Sequence, residues 1–171
     1  MPEGRLTSAQ GGGVPAGPLN LPAPVAAMVF VQDEGSLFDA PIGIVWEYLL
    51  EGAAHDGVHK STRNGKFEPL THSSFVYSAE RYLNGAWVPE SIRISVFQPV
   101  AIASVFLEGP FEGSKMVYVY KPKGTKTQID VYGDFRSPSI PPDQLEGMAR
   151  AMLDTEYRED DPAIRRFASS K

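Results

Sequence analysis

The stretch Phe38-Asp39-Ala40-Pro41-Ile42-Gly43-Ile44-Val45-Trp46-Glu47-Tyr48-Leu49 decides how the rest of the chain is read. A short apolar strand, Met28 to Val31 and fading to Ser36, runs into it. Asp39 stands where a helix takes its cap. A carboxylate there accepts a hydrogen bond from an orphan N–H of the first turn and suits the positive end of the helix dipole. Pro41 falls in the first turn, where its missing N–H costs nothing. Ile42, Val45, Trp46 and Leu49 then recur at i, i+3, i+4 and i+7, one apolar face of a helix.

Downstream, Glu51 to Gly57 reads as a break with room for one short second helix. Val58 to Phe67 is expected to form a polar strand, closed by Glu68-Pro69. Two long alternating runs follow, Ser74 to Leu83 and Ala86 to Phe97, joined by Asn84-Gly85. Asn-Gly is the strongest short hairpin signal, because both central residues need positive φ. A two-residue turn fixes the register. Leu83 then faces Ala86, Arg81 faces Val88, Ala79 faces Glu90, Tyr77 faces Ile92 and Phe75 faces Ile94, all on one side of the sheet. That side is the richer in aliphatic residues and is placed inward, leaving Tyr82 and Trp87 as an aromatic pair outside. Pro89 cannot donate to a ladder and marks an edge or a bulge. Three further strands are expected at Val100 to Leu107, Lys115 to Tyr120 and Thr127 to Arg136, with turns at Gly109 to Gly113 and Lys121 to Thr125. A helix from Pro142 to about Asp160 carries the stripe Leu145, Met148, Ala149, Met152 and Leu153. Pro162 is expected to end or kink it before a short final helix with Ile164 and Phe167.

The order is strand, one or two short helices, a run of hairpin strands, one long helix. That is an α+β pattern with a curved antiparallel sheet of six to seven strands wrapped around the C-terminal helix. This order, with the Asp-Ala-Pro start and Trp46-Glu47-Tyr48-Leu49, resembles the START/Bet v 1-like superfamily, the helix-grip or SRPBCC fold, across residues 28–168. The resemblance implies an apolar pocket between sheet and helix, and a ligand-binding protein akin to the polyketide cyclase/dehydrase-like members. No cyclase motif matches residue by residue, so no catalytic residue is carried over.

Composition bounds the function. The chain has 171 residues, 42% apolar and 22% charged, with a net charge of −5. One domain with a sizeable core is expected, and the acidic balance argues against nucleic acid as a partner. The absence of cysteine excludes disulfides, thiolate metal sites and cysteine nucleophiles and is compatible with the cytoplasm, where the protein is expected. No apolar run reaches the roughly 20 residues of a membrane span. Residues 1–27 hold five prolines and five glycines and are expected to form a flexible tail, with Met28 an alternative start of the native protein.

The inward residues Phe75, Tyr77, Ile92, Ile94, Val131 and Phe135, closed by Met148 and Met152, are the expected pocket lining. Alternation alone leaves a filled core open as the other reading; the resemblance favours a cavity. Arg81 and Glu90 sit diagonally on the inward side, within reach of each other. At a pocket mouth such a pair orients a polar ligand group or poises Glu90 as a proton carrier; otherwise it is a rim salt bridge. His55 and His59 have the i, i+4 spacing of two helical metal ligands, with His72 as a third and Asp56 nearby. Gly57 breaks the helix that geometry needs, so no metal and no cofactor is expected.

The resemblance implies three alternative functions. The leading one is binding or transport of a hydrophobic small molecule, such as a lipid, a polyketide or an aromatic metabolite. The second is an enzyme of cyclase, aromatase or dehydratase type, with Arg81, Tyr77 and Glu90 as its polar groups. The third is a non-catalytic interaction module or accessory subunit presenting the acidic segment Asp154 to Asp161. A homodimer is open under all three.

Overall fold

The computed structural model describes residues 28–55 and 57–171, without the side chains of Ala53 and Ala54. The expected tail over residues 1–27, and Asp56, lie outside the described residues. Seven strands form one antiparallel sheet: β1 (Met28–Phe38), β2 (Thr62–Thr71), β3 (Ser74–Leu83), β4 (Ala86–Phe97), β5 (Ala101–Glu108), β6 (Lys115–Lys123) and β7 (Lys126–Arg136). Helices α1 (Ile42–Leu50) and α2 (Gly52–His55) separate β1 from β2, and α3 (Pro142–Ser169) closes the chain. The sheet order is β1-β7-β6-β5-β4-β3-β2. Consecutive hairpins therefore build the sheet, and the α1–α2 connection joins its two edges. This is the α+β helix-grip arrangement that the sequence leads us to expect.

The β3–β4 register follows the Asn84-Gly85 turn, with Leu83 opposite Ala86, Tyr77 opposite Ile92 and Phe75 opposite Ile94. Tyr82 and Trp87 pair on the outer face at 5.2 Å between ring centroids. Pro89 lies before the point where β4 begins to pair with β5 at Ser91, so its missing N–H leaves no gap in a ladder.

Four expectations are corrected. First, Asp39 does not cap α1. Pro41 is the N-cap, its backbone extended and its carbonyl accepting from the Val45 N–H at 3.1 Å. Asp39 is left too far back to reach the first turn and pairs instead with Lys126 at 3.2 Å. Second, β1 continues to Phe38 through a bulge between Asp33 and Ser36, because the buried Asp130 carboxylate accepts from the Gly35 N–H at 2.9 Å. Third, β2 begins at Thr62 rather than Val58 and runs through Pro69, which an edge strand tolerates. Fourth, α3 does not stop at Pro162. Pro162 is exposed, so the Arg158 carbonyl it leaves unpaired faces water, while buried Ala163 and Ile164 hold the last turns on the core.

The helix lies over β1 and β7. There Val31, Phe135, Leu145, Ala149 and Ile164 are fully buried. Gly133 makes this packing possible: a Cβ at that position would lie 2.6 Å from the Phe135 ring. Helix α1 is anchored across the same core by Trp46, whose indole N–H donates to the Pro99 carbonyl at 2.8 Å and whose ring meets Tyr120 edge-on.

Candidate functional site

Beyond β1 and β7 the concave face of the sheet is less covered. Phe75, Tyr77, Ile94, Val96 and Ile102 are half-buried, and Phe67, the direct partner of Tyr77 on β2, is 62% exposed. Phe67, Phe75 and Tyr77 form an aromatic strip with centroid separations of 5.3 and 4.9 Å. The strip depends on Gly65 in the irregular part of β2, because a Cβ there would strike the Tyr77 ring at 2.9 Å. Leu83 and Val88, further along the same face, help line an open groove of about 240 Å³ with Pro110 and Ser139.

A polar cluster sits within this face. Arg81 Nε donates to Glu90 Oε2 at 2.8 Å, Arg81 Nη2 donates to Glu156 Oε1 at 3.2 Å, and the Tyr118 hydroxyl donates to Glu156 Oε2 at 3.0 Å. Arg81 and Glu90 are 6% and 2% exposed, so the pair is not at a rim, as a mouth position or a surface salt bridge would require. The third member, Glu156, comes from α3. Burial pushes the Glu90 carboxyl above the usual range, and Arg81 opposes this in part. Burial alone would lower the Arg81 guanidinium, but Glu156 and Glu90 outweigh it and hold its charge more firmly. Burial and Glu156 push the Tyr118 phenol up. Glu90 Oε1 is buried and accepts no hydrogen bond from the described residues. Such an atom costs free energy until a donor reaches it.

One turn along α3, Asp160 anchors a second group. Tyr48 donates to Asp160 Oδ1 at 2.9 Å, and the Nε2 atoms of His55 and His59 lie 3.6 and 3.8 Å from that oxygen. Burial, then His59, lowers His55 to about 4, while burial raises Asp160 to about 6 against the pull of His59. The acidic segment Asp154 to Asp161 is therefore largely turned inward: Glu156 and Asp160 enter these clusters and Glu159 meets His59.

Sequence reasoning placed Phe75, Tyr77, Arg81, Glu90, Ile92 and Ile94 on one concave face, and the structure does the same. Ile92, Val131, Phe135 and Met152 are buried among core side chains, and Met148 packs partly buried beside them. Glu156, Tyr118 and Asp160 were missed. Glu156 and Asp160 share an i, i+4 face of α3, but in a run of six charged residues among eight that signal is hidden. The histidines differ from expectation in their reason: Gly57 does end the helix, yet at φ +68° it turns the chain so that His59 returns beside His55.

No protein-family model and no curated protein sequence matches the chain. Solved structures do. The Zhui aromatase/cyclase of a Streptomyces species superposes with a TM-score of 0.67 at 17% identity, over 83% of this chain and 94% of that one. A START superfamily protein from Mycobacterium smegmatis gives 0.64 at 12% identity over 81% and 97%, and Ara h 8.0201 gives 0.58 at 10% over 85% and 100%. The chain has the START/Bet v 1-like helix-grip fold.

Proposed function

We propose that residues 28–168 form one binding domain that takes a hydrophobic small molecule onto the concave face between β2–β5 and α3. The observation that carries this is the aromatic and aliphatic wall of Phe67, Phe75, Tyr77, Ile94 and Ile102 ending at a buried carboxylate oxygen, Glu90 Oε1, with no partner among the described residues. The wall supplies binding through removal of apolar surface from water, about 25 cal/mol per Å² before ordering costs. Glu90 sets orientation. Arg81 already faces two carboxylates, so the cluster favours a ligand hydrogen-bond donor, a hydroxyl or phenol, over an anion. Of the expected lipid, polyketide and aromatic classes, a hydroxylated aromatic or polyketide fits best. A cytoplasmic location belongs to the same reading and is tested by fractionating the host cell.

Calorimetric titration with 2-naphthol and with its methyl ether tests the proposal. Saturable binding of 2-naphthol, weaker binding of the ether, and loss of that preference in Glu90→Gln are expected. Absence of saturable binding, or equal affinity for both compounds in the native protein, overturns it.

A second reading is a cyclase-type enzyme using the same face; one structure of similar fold is that of an aromatase/cyclase. It is favoured by Glu90, a carboxyl that burial pushes upward beside a fixed guanidinium, which suits proton transfer. Turnover of a poly-β-ketone that Glu90→Gln abolishes would support this reading; binding without turnover leaves the carrier.

A further inference from the structure

The second cluster carries an inference independent of the apolar wall. His55 Nε2 and His59 Nε2 are 2.8 Å apart, and Asp160 Oδ1 lies 3.6 Å from one and 3.8 Å from the other. Hydrogen bonding accounts for only part of this. One proton can be shared between the two ring nitrogens, but both carboxylate–imidazole separations exceed hydrogen-bond length. The three atoms nevertheless surround a common point. Their separations put that point about 2 Å from all three, the bond length of zinc to imidazole nitrogen and carboxylate oxygen.

The groups behind these atoms are arranged as metal sites require. His59 Nδ1 lies 3.1 Å from Glu159 Oε2, the carboxylate–histidine relation that fixes the ring so that Nε2 points at a metal. Glu159 is itself held, its other oxygen accepting from the Lys60 N–H at 3.2 Å. Tyr48 donates to the Asp160 oxygen and stacks its ring on His55 at 5.1 Å. All three ligating side chains are half-buried, and Glu156 stands one turn away on the same face of α3. Three carboxylates thus gather here, with Arg81 shared between Glu156 and Glu90 and Arg166 near Tyr48 as the cations, and a divalent ion offsets the remaining negative charge.

We propose that His55, His59 and Asp160 bind a divalent transition-metal cation. Two imidazoles and one carboxylate are a donor set of intermediate softness, suited to zinc or iron(II) rather than to calcium or magnesium. Three protein ligands leave further coordination positions for water or a ligand oxygen. The protein takes up the metal without the helical register that i, i+4 spacing usually supplies: α2 presents His55, and the turn at Gly57 returns His59 beside it.

The test uses full-length protein stripped with chelator and titrated with Co(II) and then Zn(II). One equivalent of Co(II), seen by its visible absorption and displaced by Zn(II), is expected. His55→Gln and Asp160→Asn, each checked for folding by circular dichroism, should abolish saturable binding. Glu159→Gln should weaken it about tenfold. His72→Gln, outside the cluster, should bind as the native protein does. Failure to take up Co(II) or Zn(II), or uptake that both ligand variants retain, overturns the proposal. Equal loss in His72→Gln overturns it as well. Because neither readout involves 2-naphthol, failure here leaves the binding proposal standing.

Discussion

The two halves of the concave face obey different rules. Over β1 and β7 the helix lies directly on the sheet, and Val31, Phe135, Ala149 and Ile164 are sealed from water. Over β2 and β3 the same face leaves Phe75 and Tyr77 partly exposed and Phe67 mostly so. Both halves have inward apolar residues on alternating positions. They differ in what covers those residues. A straight helix can lie against only part of a strongly curved sheet, and the remainder is bridged by long polar side chains, Arg81 reaching Glu156 across the gap. Stability should therefore reside in one half and binding in the other.

The largest effect expected is in the covered half. Phe135 packs edge-on against Phe111 and over Gly133, with no exposed surface. Phe135→Ala should cost about 3–5 kcal/mol in urea unfolding, the range for emptying a buried aromatic site. A cost near zero would mean that this half is not the sealed core and would erase the contrast. A smaller effect is expected where β1 is pinned to β7. Asp130 accepts from Gly35, Gln128 and Lys121 while almost wholly buried. Burial alone would raise its carboxyl, but these bonds hold it down at about 2. A carboxylate depressed by folding stabilises the protein above its unfolded value near 3.9 and loses that contribution as pH falls through its folded value. Asp130→Asn should therefore cost about 1.5–3 kcal/mol at neutral pH, a hydrogen-bonded charge's contribution. The gap to the native protein should stay constant down to about pH 5 and close between roughly pH 4 and pH 2. A gap independent of pH would show that packing, and not the ionised carboxylate, fixes the bulge.

The fold was legible where local chemistry leaves one solution. Asn84-Gly85 set the β3–β4 register, and that register placed Arg81 and Glu90 together on the inner face. Legibility failed where tertiary contacts override local rules. Phe111, read as part of a turn, is 1% exposed because Phe106 and Phe135 close around it. Pro162 reads as a helix end, but buried Ala163 and Ile164 carry the helix past it. The first cluster was legible only in its sheet-borne part, and the second only in its pair of histidines. A strand's two-residue period tells which side chains share a face, whereas the partners Glu156 and Asp160 come from a helix 75 residues or more downstream of Arg81. Nothing local links those positions. Burial depth was equally hidden: a diagonal Arg–Glu pair has the same sequence signature at a rim and in an interior.

The smallest effect on stability should come from the uncovered half, and there its smallness is the informative result. Phe75 faces Ile94 across β3–β4 and touches Phe67, yet it stays half-buried because no helix lies over it. Part of its surface stays in water after folding, so Phe75→Ala should cost about 1–2 kcal/mol, well below the cost of Phe135→Ala. The same truncation removes a ring from the wall on which an apolar guest would rest, and 2-naphthol affinity should fall severalfold. Phe135→Ala reverses the pattern, with a large loss of stability and, in the folded fraction, little change in affinity. If Phe75→Ala instead destabilises as much as Phe135→Ala, the aromatic strip is part of the core. The two halves would then be one continuous interior, with no wall left over for a ligand.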